Sequence, residues 1–219
     1  MTTRRTGLRE QKKQATREAL REAALRLALE RGAENVRVDD IAEAAGVSPR
    51  TYNNYFSSRE QAIVAAVAAE REARVAAAVA ARPADVGLAD AVVDAIVEQY
   101  TDPGGPARDA LLLITSHPAL RDAFVDTATA LEHPLTDAIA LRLGDDEHTT
   151  DEHTAHVLAA SVAAAVRVAL QRWVRVSPAP GGLVVPSGSL PDLLRAAMAP
   201  LRPALDAAGD RAVHRPVQG

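Results

Sequence analysis

The sequence predicts an all-α fold of about nine helices, on three observations. Alanine occupies 47 of the 219 positions, and it loses no side-chain entropy on entering a helix. Aromatic residues make up only 3% and isoleucine is scarce, a composition poorly suited to sandwiches and barrels. Apolar residues recur at three- and four-residue spacing between proline and glycine breaks, the period of an amphipathic helix. No segment reads as a strand and no internal repeat is visible.

The elements follow in chain order. Residues 1–12 are polar and basic and read as a flexible arm. Residues 13–31 carry Ala19, Leu20, Ala23, Ala24, Leu27 and Ala28 at helical spacing, with Gly32 as the C-terminal stop. A short second helix covers 38–45, with Asp39 and Asp40 near its positive N-terminal end. Gly46 and Val47 turn the chain, Ser48 is an N-cap and Pro49 the first residue of a third helix to about Phe56. Two overlapping capping boxes, Ser57 with Glu60 and Ser58 with Gln61, open a long helix that runs to about Ala81 and stops at Pro83.

Further helices are expected over 88–100, 107–117, 118–143 (bent at Pro134), 150–176 and 189–208. Loops are expected over 101–106, 144–148 and the proline- and glycine-rich 177–188. The 150–176 helix is apolar or small on more than one face, so core on one side and a partner helix on the other are expected. Ala160, Ala163 and Ala164 would form the close-packed dimer patch.

Charge and cysteine content narrow the function. With no cysteine, disulfides, thiol nucleophiles and cysteine-ligated metals are excluded. Residues 1–60 carry a net +3, while 61–219 carry a net −7. Residues 1–31 alone reach a net +5. This asymmetry points to a nucleic-acid-facing end on an acidic body. The basic N-terminus lacks the apolar core of a signal peptide, and the apolar runs 62–69 and 157–166 are too short to span a bilayer. A cytoplasmic protein with no membrane partner is expected.

The informative block is Ile41-Ala42-Glu43-Ala44-Ala45-Gly46-Val47-Ser48. Alanines let two helices approach, glycine permits the turn, and serine caps the helix that would enter a DNA groove. That helix, Pro49-Arg50-Thr51-Tyr52-Asn53-Asn54-Tyr55-Phe56, is dense in hydrogen-bonding side chains. Arginine pairs bidentately with guanine and asparagine with adenine, while hydroxyls suit phosphate oxygens.

Gly32, then Val38-Asp39-Asp40-Ile41-Ala42, Ala45-Gly46-Val47-Ser48 and Tyr55-Phe56-Ser57-Ser58-Arg59-Glu60 together resemble the DNA-binding domain of TetR-family transcriptional regulators. The resemblance covers about residues 17–63. It implies a helix-turn-helix domain at 13–57, a linker helix at 58–82, a ligand-binding and dimerisation domain at 83–208 and a tail at 209–219. It also implies a homodimeric, ligand-responsive repressor that leaves double-stranded operator DNA on binding a small-molecule effector. Three positions depart from the family pattern: Arg37 for threonine, Asn53 for an aromatic and Arg59 for lysine. Residues 117–121 and 166–173 resemble an actinobacterial branch that includes mycofactocin-type regulators. Some of that branch sense acyl-CoA thioesters, which makes a small hydrophobic or acyl-type effector the expectation.

Arg50, Tyr52 and Asn53 are the candidates for base edges. Arg37, Thr51, Asn54, Tyr55 and Arg59 are the candidates for phosphates, with Ser48 and Pro49 opening the reading helix. Tyr100, Leu112, Thr115, Phe124, Gln171 and Trp173 are the candidate effector contacts, and Arg108 and Arg167 suit an anionic ligand. His153 and His156 lie three apart beside Asp145, Asp146, Glu147 and His148, but no fixed fourth ligand is evident, so neither metal nor cofactor is expected. No nucleophile elbow, phosphate loop, dinucleotide fingerprint or zinc-protease motif occurs. A ligand-free architectural DNA binder is the alternative, and an all-helical enzyme a more distant one.

Overall fold

The computed structural model describes residues 3–101, 105–144, 149–176 and 189–213. Among the described residues there are eleven α-helices, three short 3-10 helices and no strand. In order, the α-helices are α1 (Thr3–Arg31), α2 (Val38–Ala44), α3 (Pro49–Tyr52), α4 (Arg59–Ala81), α5 (Leu88–Thr101), α6 (Gly105–Ser116), α7 (Pro118–Asp126), α8 (Glu132–Leu143), α9 (Thr149–Val176), α10 (Leu190–Met198) and α11 (Arg202–Val213). The expected nine become eleven because two long segments each divide. Residues 127–131 form a 3-10 turn between α7 and α8, and 199–201 form another between α10 and α11. The first break lies before Pro134, which sits in the opening turn of α8, where a missing N–H costs nothing.

The chain folds as two compact units. One comprises residues 1–68 with 104–124; the other comprises 69–103 with 125–219. In this division 104–124 groups with the N-terminal residues and not with the rest of 83–208. The expected arm at 1–12 is corrected, since α1 is helical from Thr3. The expected tail is helical to Val213. The expected loop at 177–188, the acidic run 145–148 and residues 102–104 of the expected 101–106 loop lie outside the described residues, while Thr101 ends α5 and Gly105 begins α6.

In the first unit, α1 buries Leu20, Ala23, Ala24, Leu27 and Ala28. They join Val36, Ile41, Ala42, Tyr52, Phe56, Ile63 and Val64 in a core with almost no water contact. α1 packs on α2 and on α6, and α2 on α3.

In the second unit, α9 packs against α8 and α10, and α5 against α10 and α11. Arg74 on α4 donates from Nε to Gln99 Oε1 at 2.9 Å, and Arg82 pairs with Glu98 at 2.7 Å, tying α4's last turns to α5. Residues 153–174 of α9 are long and apolar enough to cross a bilayer by length and composition, which corrects the expectation that no segment qualifies. That segment packs as a core helix, burying Ala155, Leu158, Ala159, Val162, Ala163, Val166, Ala169 and Leu170.

Candidate nucleic-acid interface

The helix-turn-helix is assembled by backbone chemistry. α2 opens with Asp40, whose carboxylate accepts the Arg37 N–H at 3.0 Å. It ends in a Schellman turn, with Gly46 N–H on Glu43 O at 3.0 Å and Val47 N–H on Ala42 O at 2.9 Å. Gly46 has φ +69°, the left-handed region that glycine enters without strain. Ser48 then caps α3, its Oγ accepting the Thr51 N–H at 3.1 Å and lying 2.9 Å from Thr51 Oγ1. Pro49 takes the first helical position, where it has no N–H to satisfy.

α3 proper is one turn, Pro49–Tyr52. Residues 53–55 continue it as a tight turn, with Tyr55 and Phe56 N–H groups both reaching Tyr52 O. Arg37, Pro49, Arg50, Asn53 and Asn54 are exposed, and Thr51 and Tyr55 are half-buried. The structure therefore groups Arg50, Asn53 and Asn54 on an accessible surface that follows a capped turn.

One expected DNA contact is corrected. Tyr52 is 0% exposed; its ring lies 5.8 Å from that of Phe56 and its hydroxyl donates to Ser58 O at 2.7 Å. It holds α3 on the core and cannot touch a base edge. Burial, and then the charge of Glu60, pushes its phenol up to about 12. Its spacing to Phe56, four residues on a helix, was the signal available in the sequence.

Arg59, expected at a phosphate, is half-buried and already engaged. Its NH1 group donates to Glu34 O at 3.1 Å and Val36 O at 2.9 Å, and its Nε to Glu60 at 2.7 Å. The guanidinium fastens the start of α4 to the α1–α2 connection. Of the two expected capping boxes on α4, Ser58 with Gln61 forms in part: Ser58 Oγ accepts the Gln61 N–H at 3.1 Å, while Gln61 Oε1 accepts the Ser57 N–H at 2.8 Å.

The candidate effector contacts divide between the units. Leu112, Thr115 and Phe124 belong to the first, and Tyr100, Gln171 and Trp173 to the second. Leu112 is 63% exposed. Thr115 turns its hydroxyl back onto Leu111 O at 2.8 Å, and Phe124 is core. Tyr100 is buried with the Arg71 guanidinium 4.5 Å from its ring centroid, and burial pushes its phenol up to about 12 against the opposing charge of Arg71. Gln171 and Trp173 are half-buried on α9. Arg108 and Arg167 are exposed.

The expected dimer patch is partly corrected. Ala163 is 2% exposed and belongs to the core, whereas Ala164 lies on an accessible face with Val157 and Val168. His156 pairs with Glu132 at 3.3 Å. Among the described residues no three acidic or histidine side chains are grouped to hold a metal.

Comparison with known proteins gives a consistent result. Residues 20–67 match the family described as bacterial regulatory proteins, tetR family, and residues 82–206 match the MftR C-terminal domain. The HTH-type transcriptional regulator TcmR of Streptomyces glaucescens is 30% identical over 176 residues, covering 76% of each chain. Among solved structures, Thermus thermophilus FadR, a TetR-family repressor in complex with lauroyl-CoA, aligns over 93% of this chain and 99% of its own, at 21% identity and a TM-score of 0.46. A putative TetR-family regulator from Rhodococcus sp. aligns over 88% and 99%, at 21% identity and a TM-score of 0.42. With a capped helix-turn-helix over the residues that match the first family and a helical body over those that match the second, the chain belongs to the TetR family of DNA-binding transcriptional regulators.

Proposed function

We propose that this protein is a homodimeric repressor that places residues 49–55 of each subunit in successive major grooves of an operator. The observation that carries the reading is the capped turn and short helix at 46–54, which leaves Arg50, Asn53 and Asn54 accessible while Tyr52 and Phe56 anchor them from below. In this reading Arg50 and Asn53 address base edges, and Arg37, Thr51, Asn54 and Tyr55 address phosphates. Half-sites then lie about 34–36 Å apart or somewhat more.

Dimerisation is assigned to the accessible face of α9, where Val157, Ala164 and Val168 are exposed on a helix whose opposite side packs in the core. The effector, a small hydrophobic or acyl-type molecule, is assigned to the second unit, with Tyr100, Gln171 and Trp173 as contacts. This is supported by the placement of Tyr100 on α5 and of Gln171 and Trp173 on α9, two helices that both pack on α10. Release of DNA requires only that the effector bind the DNA-incompetent arrangement more tightly than the competent one.

The test is fluorescence anisotropy with the protein's own upstream DNA and a shuffled control at about 0.15 M salt. Specific binding at least about 1,000-fold tighter than to the control supports the reading. Equal weak binding to both favours a sequence-neutral architectural protein.

A further inference from the structure

α1 is longer than its packing requires. It runs for 29 residues, yet among the described side chains its buried positions begin only at Leu20. Its charge is segregated along its length. Residues 3–17 contain Arg4, Arg5, Arg9, Lys12, Lys13 and Arg17 against Glu10 alone, whereas residues 18–31 balance three arginines with three glutamates. The whole net +5 of the helix therefore precedes Glu18.

Helical phase puts much of this charge on one face. At 3.6 residues per turn, Arg9, Lys13 and Thr16 lie within roughly 40° of Leu20, Arg17 roughly 60° to one side and Lys12 roughly 80° to the other. The stripe that faces the core from Leu20 to Ala28 thus continues toward the N-terminus as a basic stripe. Arg9, Lys12, Lys13 and Arg17 are all exposed. The Arg17 guanidinium lies 5.7 Å from the Phe56 ring centroid, so the stripe starts beside the residue that follows the reading turn. Arg9 is about 12 Å of helix further on.

This arrangement is unfavourable for an isolated helix. Like charges three and four residues apart repel. A polyanion along the stripe relieves this cost.

We propose that the N-terminal half of α1 is a second DNA contact, lying against the phosphate backbone that flanks the half-site read by α3. It rests on the reading of residues 49–55 as a DNA-binding helix. Arg9, Lys12 and Lys13 add affinity without base preference, because phosphates carry no sequence information.

The experiment uses the full-length protein with Arg9→Ala, Lys12→Ala and Lys13→Ala combined. Alanine preserves helix propensity, and circular dichroism checks that helix content is kept. DNA affinity is measured from about 50 to 200 mM salt on the upstream DNA and on its shuffled control. The plot of log affinity against log salt is expected to become shallower by about 2–3 per subunit. Both DNAs should lose affinity by the same factor. The control removes Arg26 and Arg31 from the balanced half of the helix and is expected to keep the wild-type slope. An unchanged slope in the triple variant, or an equal change in the control, overturns the proposal. If the wild-type protein does not distinguish the two DNAs, the sequence-specific reading falls, while the slopes still decide the role of α1. If it binds neither DNA, both readings fall.

Discussion

His117 Nε2 lies 3.1 Å from Glu34 Oε2, joining residues 83 positions apart. His117 opens the turn between α6 and α7, with its Nδ1 3.0 Å from Leu113 O. Glu34 sits in the connection between α1 and α2 and offers its backbone carbonyl to Arg59. The pair therefore fastens the end of α6 to the entry of the helix-turn-helix within one compact unit.

Glu34 should make the unit acid-sensitive. Its own backbone N–H, and then the hydrogen bond from His117, hold its carboxyl below the ordinary value of 4.5. A lowered folded value means that the stabilisation is full above pH 4.5 and is lost as pH falls through the folded value. In Glu34→Gln, melting temperature should therefore fall less steeply below pH 4.5 than in the wild type. Parallel curves for the two proteins would show that the carboxylate contributes nothing through this route.

Arg59→Ala should lower stability before it alters salt dependence. The guanidinium bonds two carbonyls, Glu34 O and Val36 O, and pairs with Glu60. Losing charge-assisted bonds of this kind costs about 1–3 kcal/mol. Denaturant unfolding should show that loss, with the salt slope of DNA binding close to wild type. A stable variant whose slope is shallower by about 1 would show that Arg59 serves chiefly as a phosphate contact.

The difference between Arg59 and Gly46 shows where sequence reasoning works here. Gly46, Ser48 and Pro49 act on backbone within a few residues, so their types and spacing announced the turn, the cap and the start of α3. The roles of Arg59 and His117 depend on partners 23 to 83 positions away, which no local pattern contains. The grouping of 104–124 with the N-terminal residues is non-local in the same way. Tyr52 was different: its four-residue spacing to Phe56 marked a buried face, but its hydrogen-bonding tip read as a base contact. Ala163 reads as part of a dimer patch yet is buried, because a helix that is apolar on several faces does not declare which side faces water.

Arg142 should prove one of the more sensitive charged positions in the second unit. It donates to Arg82 O at 2.8 Å and Val86 O at 2.7 Å, with longer bonds to Pro83 O at 3.2 Å and Val79 O at 3.4 Å. These carbonyls end α4 and line its connection to α5, so one side chain from α8 satisfies what the helix end leaves open. Arg142→Ala is expected to cost about 2–3 kcal/mol in denaturant unfolding. Arg142→Lys should recover only part of that, because one ammonium cannot reproduce the planar fork. A cost within about 0.5 kcal/mol, the range of ordinary surface substitutions, would mean that water replaces the bonds.

The two buried tyrosines predict alkaline unfolding. Tyr52 and Tyr100 are both pushed up to about 12, chiefly by burial. A free phenol ionises near 10. The stabilisation is therefore fully present below pH 10 and is lost as pH rises through about 12. Tyr52→Phe should lose about 1 kcal/mol at neutral pH, through the missing bond to Ser58 O. It should also unfold at higher pH than its neutral-pH stability alone would give, while keeping wild-type base preference. A change in base preference without loss of stability would place the Tyr52 hydroxyl on DNA.

Arg50 and Asn53 separate base reading from simple attraction. Both are exposed at the end of a helix anchored by Tyr52 and Phe56, so truncating them should leave the fold intact. Each alanine variant should cost about 1–3 kcal/mol on the cognate operator and relax preference at one base position. Asn54→Ala, assigned to phosphate, should instead weaken all sequences together. Selection of bound sequences from a randomised half-site distinguishes the two behaviours, because it reads preference position by position. If Arg50→Ala and Asn53→Ala both yield the wild-type preference at lower affinity, then base recognition belongs to other side chains of the turn, and the accessible surface at 50–54 serves the backbone alone.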